Sequence, residues 1–154
     1  MMISRRSFLA GGTALALAGG VSGTARKAFS ADETPLKVRA ARKGLRMGAE
    51  VVPRLLGDAD YAAMLVRDVD MVVPGNALKW GPLERRRRFL DFSEADLVAD
   101  FARVHGMAMR GHTLLWHNQI PKWLPGRLAN PKKSPARTIE KHIHEVVGRY
   151  RGRM

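Results

Sequence analysis

The sequence predicts an α/β fold in which strands alternate with helices and the strands form a parallel sheet. Three short β-rich runs follow one another along the chain, and each precedes a segment with apolar residues at helical spacing. Because strands joined through helices lie side by side in parallel, this alternation predicts about three βα units. The 154 residues suit one modest domain. The chain has no cysteine, which excludes disulfides, thiolate metal sites and cysteine nucleophiles.

The first segment, residues 1–31, has the features of an export signal. Arg5 and Arg6 precede an apolar run, Phe8–Val21, that four glycines interrupt. The run is too short and too rich in glycine for a stable membrane-spanning helix, which needs ~20 apolar residues. We therefore predict a twin-arginine signal peptide, recognised by the export machinery through Arg5 and Arg6, and a periplasmic or secreted protein without a stable membrane anchor. An uncleaved anchor is the alternative.

The first two strands are predicted after a lead-in at residues 32–44, and the main domain is predicted to span residues 45–154. Leu45–Val52 is a candidate strand closed by Pro53. Asp60 can cap the helix that follows. Asp70–Val73 is a short β-rich run ended by a proline and a glycine, which predicts the second strand.

The second half of the chain continues the alternation. Ser93–Asp96 predicts a capping box ahead of an amphipathic helix, and Gly106 stands where a helix would end. Met107–Trp116 is the third predicted strand. Thr138 is expected to begin the last helix. The apolar face of the helix after Ser93 is predicted to contain Leu97, Val98, Phe101 and Ala102.

A cluster of ring and amide side chains stands out at the end of the third predicted strand. Alternation along a strand would place His112 and Trp116 on one face, with Gln119 just beyond in a loop. An indole face can cover the C–H surface of a sugar while imidazole and amide groups bond its hydroxyls. The cluster therefore suggests carbohydrate binding. The alternative is a buried tryptophan beside a hydrogen-bonded core histidine.

Two motifs in this sequence resemble one known family. The segment from Arg110 to Leu124, Arg-Gly-His-Thr-Leu-Leu-Trp-His-Asn-Gln-Ile-Pro-Lys-Trp-Leu, resembles the third-strand signature of the family-10 glycoside hydrolases, the endo-β-1,4-xylanases. Met71–Trp80 resembles the loop after the second strand of the same enzymes. Asn76 and Lys79 match that motif, but Gly75 stands where the family has a glutamate.

The resemblance implies a fold, a substrate and a set of binding residues. The family fold is an eight-stranded (β/α) TIM barrel with its site at the carboxyl ends of the strands, so this chain would form an incomplete N-terminal portion with about three βα units. The substrate would be xylan or a xylo-oligosaccharide, hydrolysed with retention and without cofactor or metal. The implied substrate-binding residues are Asn76, Lys79, His112, Trp116 and Gln119.

No catalytic residue is assigned within the 154 residues. The family's acid/base glutamate belongs to a Trp-Asp-x-x-Asn-Glu motif after the fourth strand, and its nucleophile follows the seventh. The Trp-Asp-x-x-Asn-Glu motif does not occur in this sequence. Both glutamates are therefore expected beyond Met154, and the chain alone is predicted to be inactive. His112 and His117 are five positions apart and would point to opposite faces of a strand, so no metal site is predicted.

Two other functions are compatible with parts of the sequence. One is a non-catalytic remnant that binds xylan through the same five residues. The other is an exported basic protein that binds nucleic acid or another polyanion, because Lys and Arg outnumber Asp and Glu by 27 to 14. Its basic run, Arg85 to Arg88, lacks interleaved aromatic residues that would stack on bases. Nucleic acid is therefore not expected as a partner.

Overall fold

The computed structural model describes residues 34–154, so the predicted signal peptide with Arg5 and Arg6 lies outside the described residues. No helix in the described part is long and apolar enough to cross a membrane. Two 3₁₀ turns lie at Pro53–Gly57 and Pro131–Lys133. The helices and strands are α1 (Leu36–Ala41), β1 (Gly48–Glu50), α2 (Ala59–Asp68), β2 (Met71–Val73), α3 (Trp80–Leu83), α4 (Ser93–Val104), β3 (Ala108–Met109), α5 (Leu124–Leu128) and α6 (Pro135–Arg149).

The three strands form one parallel sheet in the order β1-β2-β3. Glu50 pairs with Val73 at the end of β1, and Val72 pairs with Met109 at the end of β3. Helix α2 connects the first two strands, and α4 leads into the third. The predicted α/β fold with parallel strands is therefore confirmed. Within residues 34–154 the sheet is open and does not close into a barrel.

One face of the sheet carries the hydrophobic core. Ala49, Val72 and Met109 lie side by side across the three strands and point into the core, where Val72 is fully buried. Helices α2 and α4 cover this face with Leu65 and Val98. The other face contains Glu50 and Val73 and is more exposed. Alternation along each strand thus separates a packed face from an open one.

Helix α2 is capped two residues earlier than predicted. The carboxylate of Asp58 accepts hydrogen bonds from the backbone N–H groups of Asp60 and Tyr61, at 2.9 and 3.0 Å. Asp60 lies inside the first turn, so the prediction that it caps the helix is wrong. A capping oxygen must stand before the helix, where it can reach the free N–H groups of the first turn.

Helix α4 lacks the predicted capping box. The Asp91 carboxylate accepts from both the backbone N–H and the hydroxyl of Ser93, while Asp96 bonds to α6 instead. The prediction that Leu97 lies on the buried face is also wrong, since its side chain is 56% exposed. Gly106 ends this region in the left-handed conformation, with φ of 64°, as predicted.

The third strand is much shorter than the sequence suggests. Strand β3 covers only Ala108–Met109, and most of the region from 110 to 123 is irregular. The peptide bond between His112 and Thr113 is cis. Because residues 110–119 do not form a strand, the predicted alternation does not apply to His112 and Trp116. Their common location comes from the path of the loop.

The two ends of the described chain are attached to the helical layer. Helix α1, in the predicted lead-in, places the backbone N–H of Leu36 3.0 Å from an Asp68 carboxylate oxygen. At the other end, α6 begins at Pro135, three residues before the predicted Thr138. Arg149 pairs with Asp96 of α4, and the Tyr150 hydroxyl donates to the same carboxylate at 2.9 Å. Both contacts hold terminal elements against the core.

Candidate functional site

The five predicted binding residues lie together at the carboxyl edge of the sheet. The segment after β2 contributes Asn76 and Lys79. The long loop after β3 contributes His112, Trp116 and Gln119. Because the strands are parallel, both segments leave the sheet at the same edge. Each of the five side chains contacts at least one other member of the group.

Asn76 connects the two segments. Its Oδ1 accepts a hydrogen bond from the Lys79 ammonium at 2.6 Å and another from the Gln119 side-chain amide at 3.1 Å. The Asn76 amide nitrogen makes no hydrogen bond within residues 34–154 and remains free to donate. Asn76 and Gln119 are exposed and Lys79 is partly so. The edge therefore presents several donors to solvent.

Trp116 supplies an accessible aromatic face beside these donors. Its side chain is 37% exposed, and the Lys79 ammonium lies 5.1 Å from the ring centroid. The His112 ring centroid is 6.5 Å away at an interplanar angle of 50°. An indole that is 37% exposed and has polar neighbours does not fit the alternative of a sealed core tryptophan.

The other two tryptophans are structural. Trp80 is 2% exposed, and its indole N–H donates to the Glu84 carboxylate at 2.9 Å. Trp123 packs edge-on against Trp80 and donates to the Glu84 carbonyl at 3.0 Å. These contacts fix the base of the loop that carries Trp116.

His142 of α6 packs against Trp80 at the base of the loop that carries Trp116. Its ring stacks on Trp80 with centroids 3.9 Å apart and planes within 6°. Burial lowers the pKa of His142 to about 4, although the charge of Glu84 and the nearby Leu114 carbonyl act in the opposite direction. Within residues 34–154, neither ring nitrogen has a hydrogen-bond partner. His142 is therefore a neutral ring at pH 7, and it acts as a packing element.

Gly81 allows the two loops to meet. Its backbone N–H donates to the Gln119 carbonyl at 2.7 Å, and a Cβ at position 81 would lie only 2.4 Å from that oxygen. Gln119 itself has a φ of 54°, which is uncommon for a residue with a side chain. Gly81 is not recognisable from the sequence, because a glycine near a helix start has no special signature.

Gly75 is buried and packs against β1. A Cβ at this position would lie 2.9 Å from the Val51 carbonyl oxygen and 3.0 Å from a Glu50 carboxylate oxygen. Its φ is 33°. The backbone at position 75 therefore lies closer to the end of β1 than a side chain would allow.

Two further features of the described residues concern metal binding and the basic run. Among residues 34–154, no group of three or more His, Asp or Glu side chains is arranged to hold a metal ion. Arg85 to Arg88 lie in an exposed turn, where the Arg86 guanidinium stacks 3.7 Å above the Phe89 ring. The carboxyl edge of the sheet is an exposed polar surface with one accessible aromatic side chain, Trp116.

Comparison with known proteins gives the same assignment. Residues 35–154 match Glycosyl hydrolase family 10. Endo-1,4-beta-xylanase 3 of Hypocrea jecorina is 37% identical over 114 residues, which cover 73% of this chain and 32% of that protein. Endo-1,4-beta-xylanase B of Thermotoga neapolitana is 33% identical over 129 residues, covering 82% of this chain and 37% of that protein.

A solved structure shares the fold. The crystal structure of xylanase 10B from Thermotoga petrophila RKU-1 in complex with xylobiose aligns with a TM-score of 0.70 at 28% identity, covering 78% of this chain and 37% of that chain. The chain thus spans about a third of the length of these relatives. Its three strands and their helices are the N-terminal portion of the (β/α)8 barrel. The chain belongs to glycosyl hydrolase family 10.

Proposed function

We propose that this chain binds xylan and xylo-oligosaccharides at the carboxyl edge of its sheet. The observation that supports this proposal is the contact network that joins Asn76, Lys79 and Gln119 to the partly exposed indole of Trp116. A pyranose offers C–H groups that pack on an aromatic face and hydroxyls that accept from amide and ammonium donors. Xylan is the preferred candidate because the similar proteins carry the name endo-1,4-beta-xylanase.

The reaction we assign to the complete family domain is retaining hydrolysis of internal β-1,4 bonds. Such hydrolysis needs two carboxyl groups ~5–5.5 Å apart, one as acid/base and one as nucleophile. The 154 residues contain no Trp-Asp-x-x-Asn-Glu motif, and we assign neither catalytic role within them. We therefore propose that this chain contributes sugar binding and does not hydrolyse xylan by itself.

Isothermal titration of the chain with xylotetraose tests the binding proposal. We expect Trp116→Ala to weaken binding at least tenfold, since stacking on the indole and its contact with Lys79 are lost together. Phe89→Ala is the matched control because Phe89 is an exposed aromatic outside the network, and it should leave the affinity unchanged. Equal affinities for native protein and Trp116→Ala would reject the proposed site.

Reducing-sugar release from xylan tests the statement about activity. The native chain at micromolar concentration should release no more sugar than a boiled sample. Turnover at rates typical of enzymes would show that an acid pair exists within these residues.

We also propose that the protein is exported through the twin-arginine pathway to the periplasm or outside the cell. The support is the Arg5-Arg6 pair ahead of a glycine-interrupted apolar run. A reporter fused after residue 31 should be exported, and replacing both arginines by lysine should retain it in the cytoplasm. Export of the lysine variant at the native level would exclude this route.

A further inference from the structure

Glu50 is an unpaired carboxylate at the same edge of the sheet. It is the last residue of β1, and it pairs in register with Val73 of β2. Its side chain is exposed on the open face, opposite the core face that contains Ala49. The Glu50 carboxylate makes no ion pair or hydrogen bond with any residue of the described part of the chain. The negative charge of Glu50 is therefore available to accept hydrogen bonds from a ligand.

The Glu50 side chain lies against the residue that precedes Asn76. One carboxylate oxygen is 3.0 Å, and the Cγ is 3.5 Å, from the position that a Cβ on Gly75 would occupy. Glu50 thus fills the space in which a side chain at position 75 would begin. Because Asn76 directly follows Gly75, the Glu50 carboxylate lies near the residue that accepts hydrogen bonds from Lys79 and Gln119.

We propose that Glu50 is a sugar-binding residue that accepts hydrogen bonds from adjacent hydroxyls of the xylosyl unit held by Asn76 and Lys79. This proposal rests on the proposed function. Asn76, Lys79 and Gln119 offer mainly donors, whereas a sugar hydroxyl both donates and accepts. A carboxylate is the acceptor that completes such a surface, and its two oxygens can take two neighbouring hydroxyls.

The sequence difference at position 75 is consistent with this arrangement. The family resemblance places a glutamate where this chain has Gly75, and the geometry places the Glu50 carboxylate over that glycine. Two carboxylates at this point would collide and repel each other. A glycine at 75 and a glutamate at 50 therefore form a matched pair, in which the acidic group comes from the first strand.

The test measures xylotetraose binding to the full chain by isothermal titration. Glu50→Gln keeps the size of the side chain and removes its charge, and we expect the dissociation constant to rise about tenfold, the effect of losing one charge-assisted hydrogen bond. Glu140→Gln is the control, because it removes the same charge from an exposed position on α6. It should leave binding unchanged.

The outcomes separate this inference from the proposed function. If Trp116→Ala weakens binding and Glu50→Gln does not, the role of Glu50 is overturned while the site at Trp116 stands. If Glu50→Gln and Glu140→Gln weaken binding equally, the effect is one of net charge and the role of Glu50 is again overturned. If the native chain binds no xylotetraose, both proposals fail. Glu50 is exposed, so its replacement by Gln should leave the thermal unfolding curve unchanged, and that curve is recorded for each variant.

Discussion

The side-chain amide of Gln119 donates to the Oδ1 of Asn76 at 3.1 Å, across 43 positions of sequence. This bond joins the segment after β2 to the loop after β3, and Lys79 donates to the same oxygen. One acceptor thus sets the relative positions of donors that come from two βα units.

The junction predicts non-additive effects on sugar binding. Asn76→Ala and Gln119→Ala should each weaken xylotetraose binding, and the double variant should be scarcely weaker than either single one. The coupling should be about 0.5–1 kcal/mol, the usual contribution of one hydrogen bond between neutral groups. Isothermal titration of the four proteins measures it. Strictly additive losses would show that the two side chains act independently.

Gly81 should be intolerant of a side chain. Its replacement by Ala would place a Cβ 2.4 Å from the Gln119 carbonyl oxygen, so we expect Gly81→Ala to destabilise the fold by about 1–3 kcal/mol. Gly148→Ala is the control, because it lies in α6 with nothing near the added atom. That variant should gain about 0.5–1 kcal/mol from helix propensity. Urea unfolding distinguishes the two, and similar midpoints would contradict the close approach.

His142 should make stability depend on pH between about 6.5 and 4. Burial lowers its pKa in the folded protein to about 4, whereas an unfolded chain titrates near its usual 6.5. As pH falls through this window the unfolded state takes up the proton first, so the free energy of unfolding decreases, by up to about 3 kcal/mol. Above pH 6.5 both states are neutral and the effect disappears.

The variant His142→Phe isolates this contribution. Phenylalanine can keep the stacking on Trp80 without a titrating group. Urea unfolding at several pH values should show a smaller loss of stability toward pH 4 in the variant than in the native chain. Identical pH profiles would mean that His142 is protonated in the folded protein as readily as in the unfolded one.

Asp96 should stabilise the attachment of α6 to α4. Hydrogen bonding from the Arg149 guanidinium lowers the pKa of Asp96 below its usual 3.8. The contribution is therefore complete above the unfolded pKa and is lost as pH falls through the lower folded pKa. We expect Asp96→Asn to cost about 1 kcal/mol at pH 7, typical of a partly exposed pair, and less at pH 3, below the usual pKa of 3.8. Thermal unfolding at both pH values measures the difference.

A second ion pair on the same helix provides the control for Asp96. Asp100 pairs with Arg103 at 3.5 Å within α4, and both side chains are mostly exposed. Asp100→Asn should therefore change stability by only a few tenths of a kcal/mol. Equal losses for the two variants would show that the contact between α4 and α6 adds nothing beyond surface charge.

The local sequence predicted whether a region forms a helix or a strand better than it predicted the residues at which that element begins and ends. The βα alternation and the glycine after α4 were visible in the sequence, because apolar spacing and special backbone conformations leave direct patterns. The predicted cap of α2 is wrong because Asp58 and Asp60 are equally suitable capping residues in the local sequence. The predicted capping box at Ser93 is wrong because Ser93 bonds back to Asp91. The local sequence predicts a capping role for Asp96, and only the fold shows that it bonds to Arg149, 53 positions away.

The candidate site was likewise only partly predictable from the sequence. The motifs around Asn76 and Trp116 identified the family and five candidate residues, because these side-chain types follow predicted strands in a recognisable order. The irregular course of residues 110–119, the use of Gly81 as a contact point and the placement of Glu50 over Gly75 were not predictable from local patterns. All three depend on how separate βα units approach each other.

The sequence alone determined that this chain forms parallel βα units and that its candidate binding residues follow the second and third strands. The tertiary structure decided which tryptophan is accessible, which acidic groups pair, and which amide joins the two loops. The physical reason is that apolar periodicity and turn residues act over a few positions, whereas burial and hydrogen bonding depend on which segments the packed core brings together.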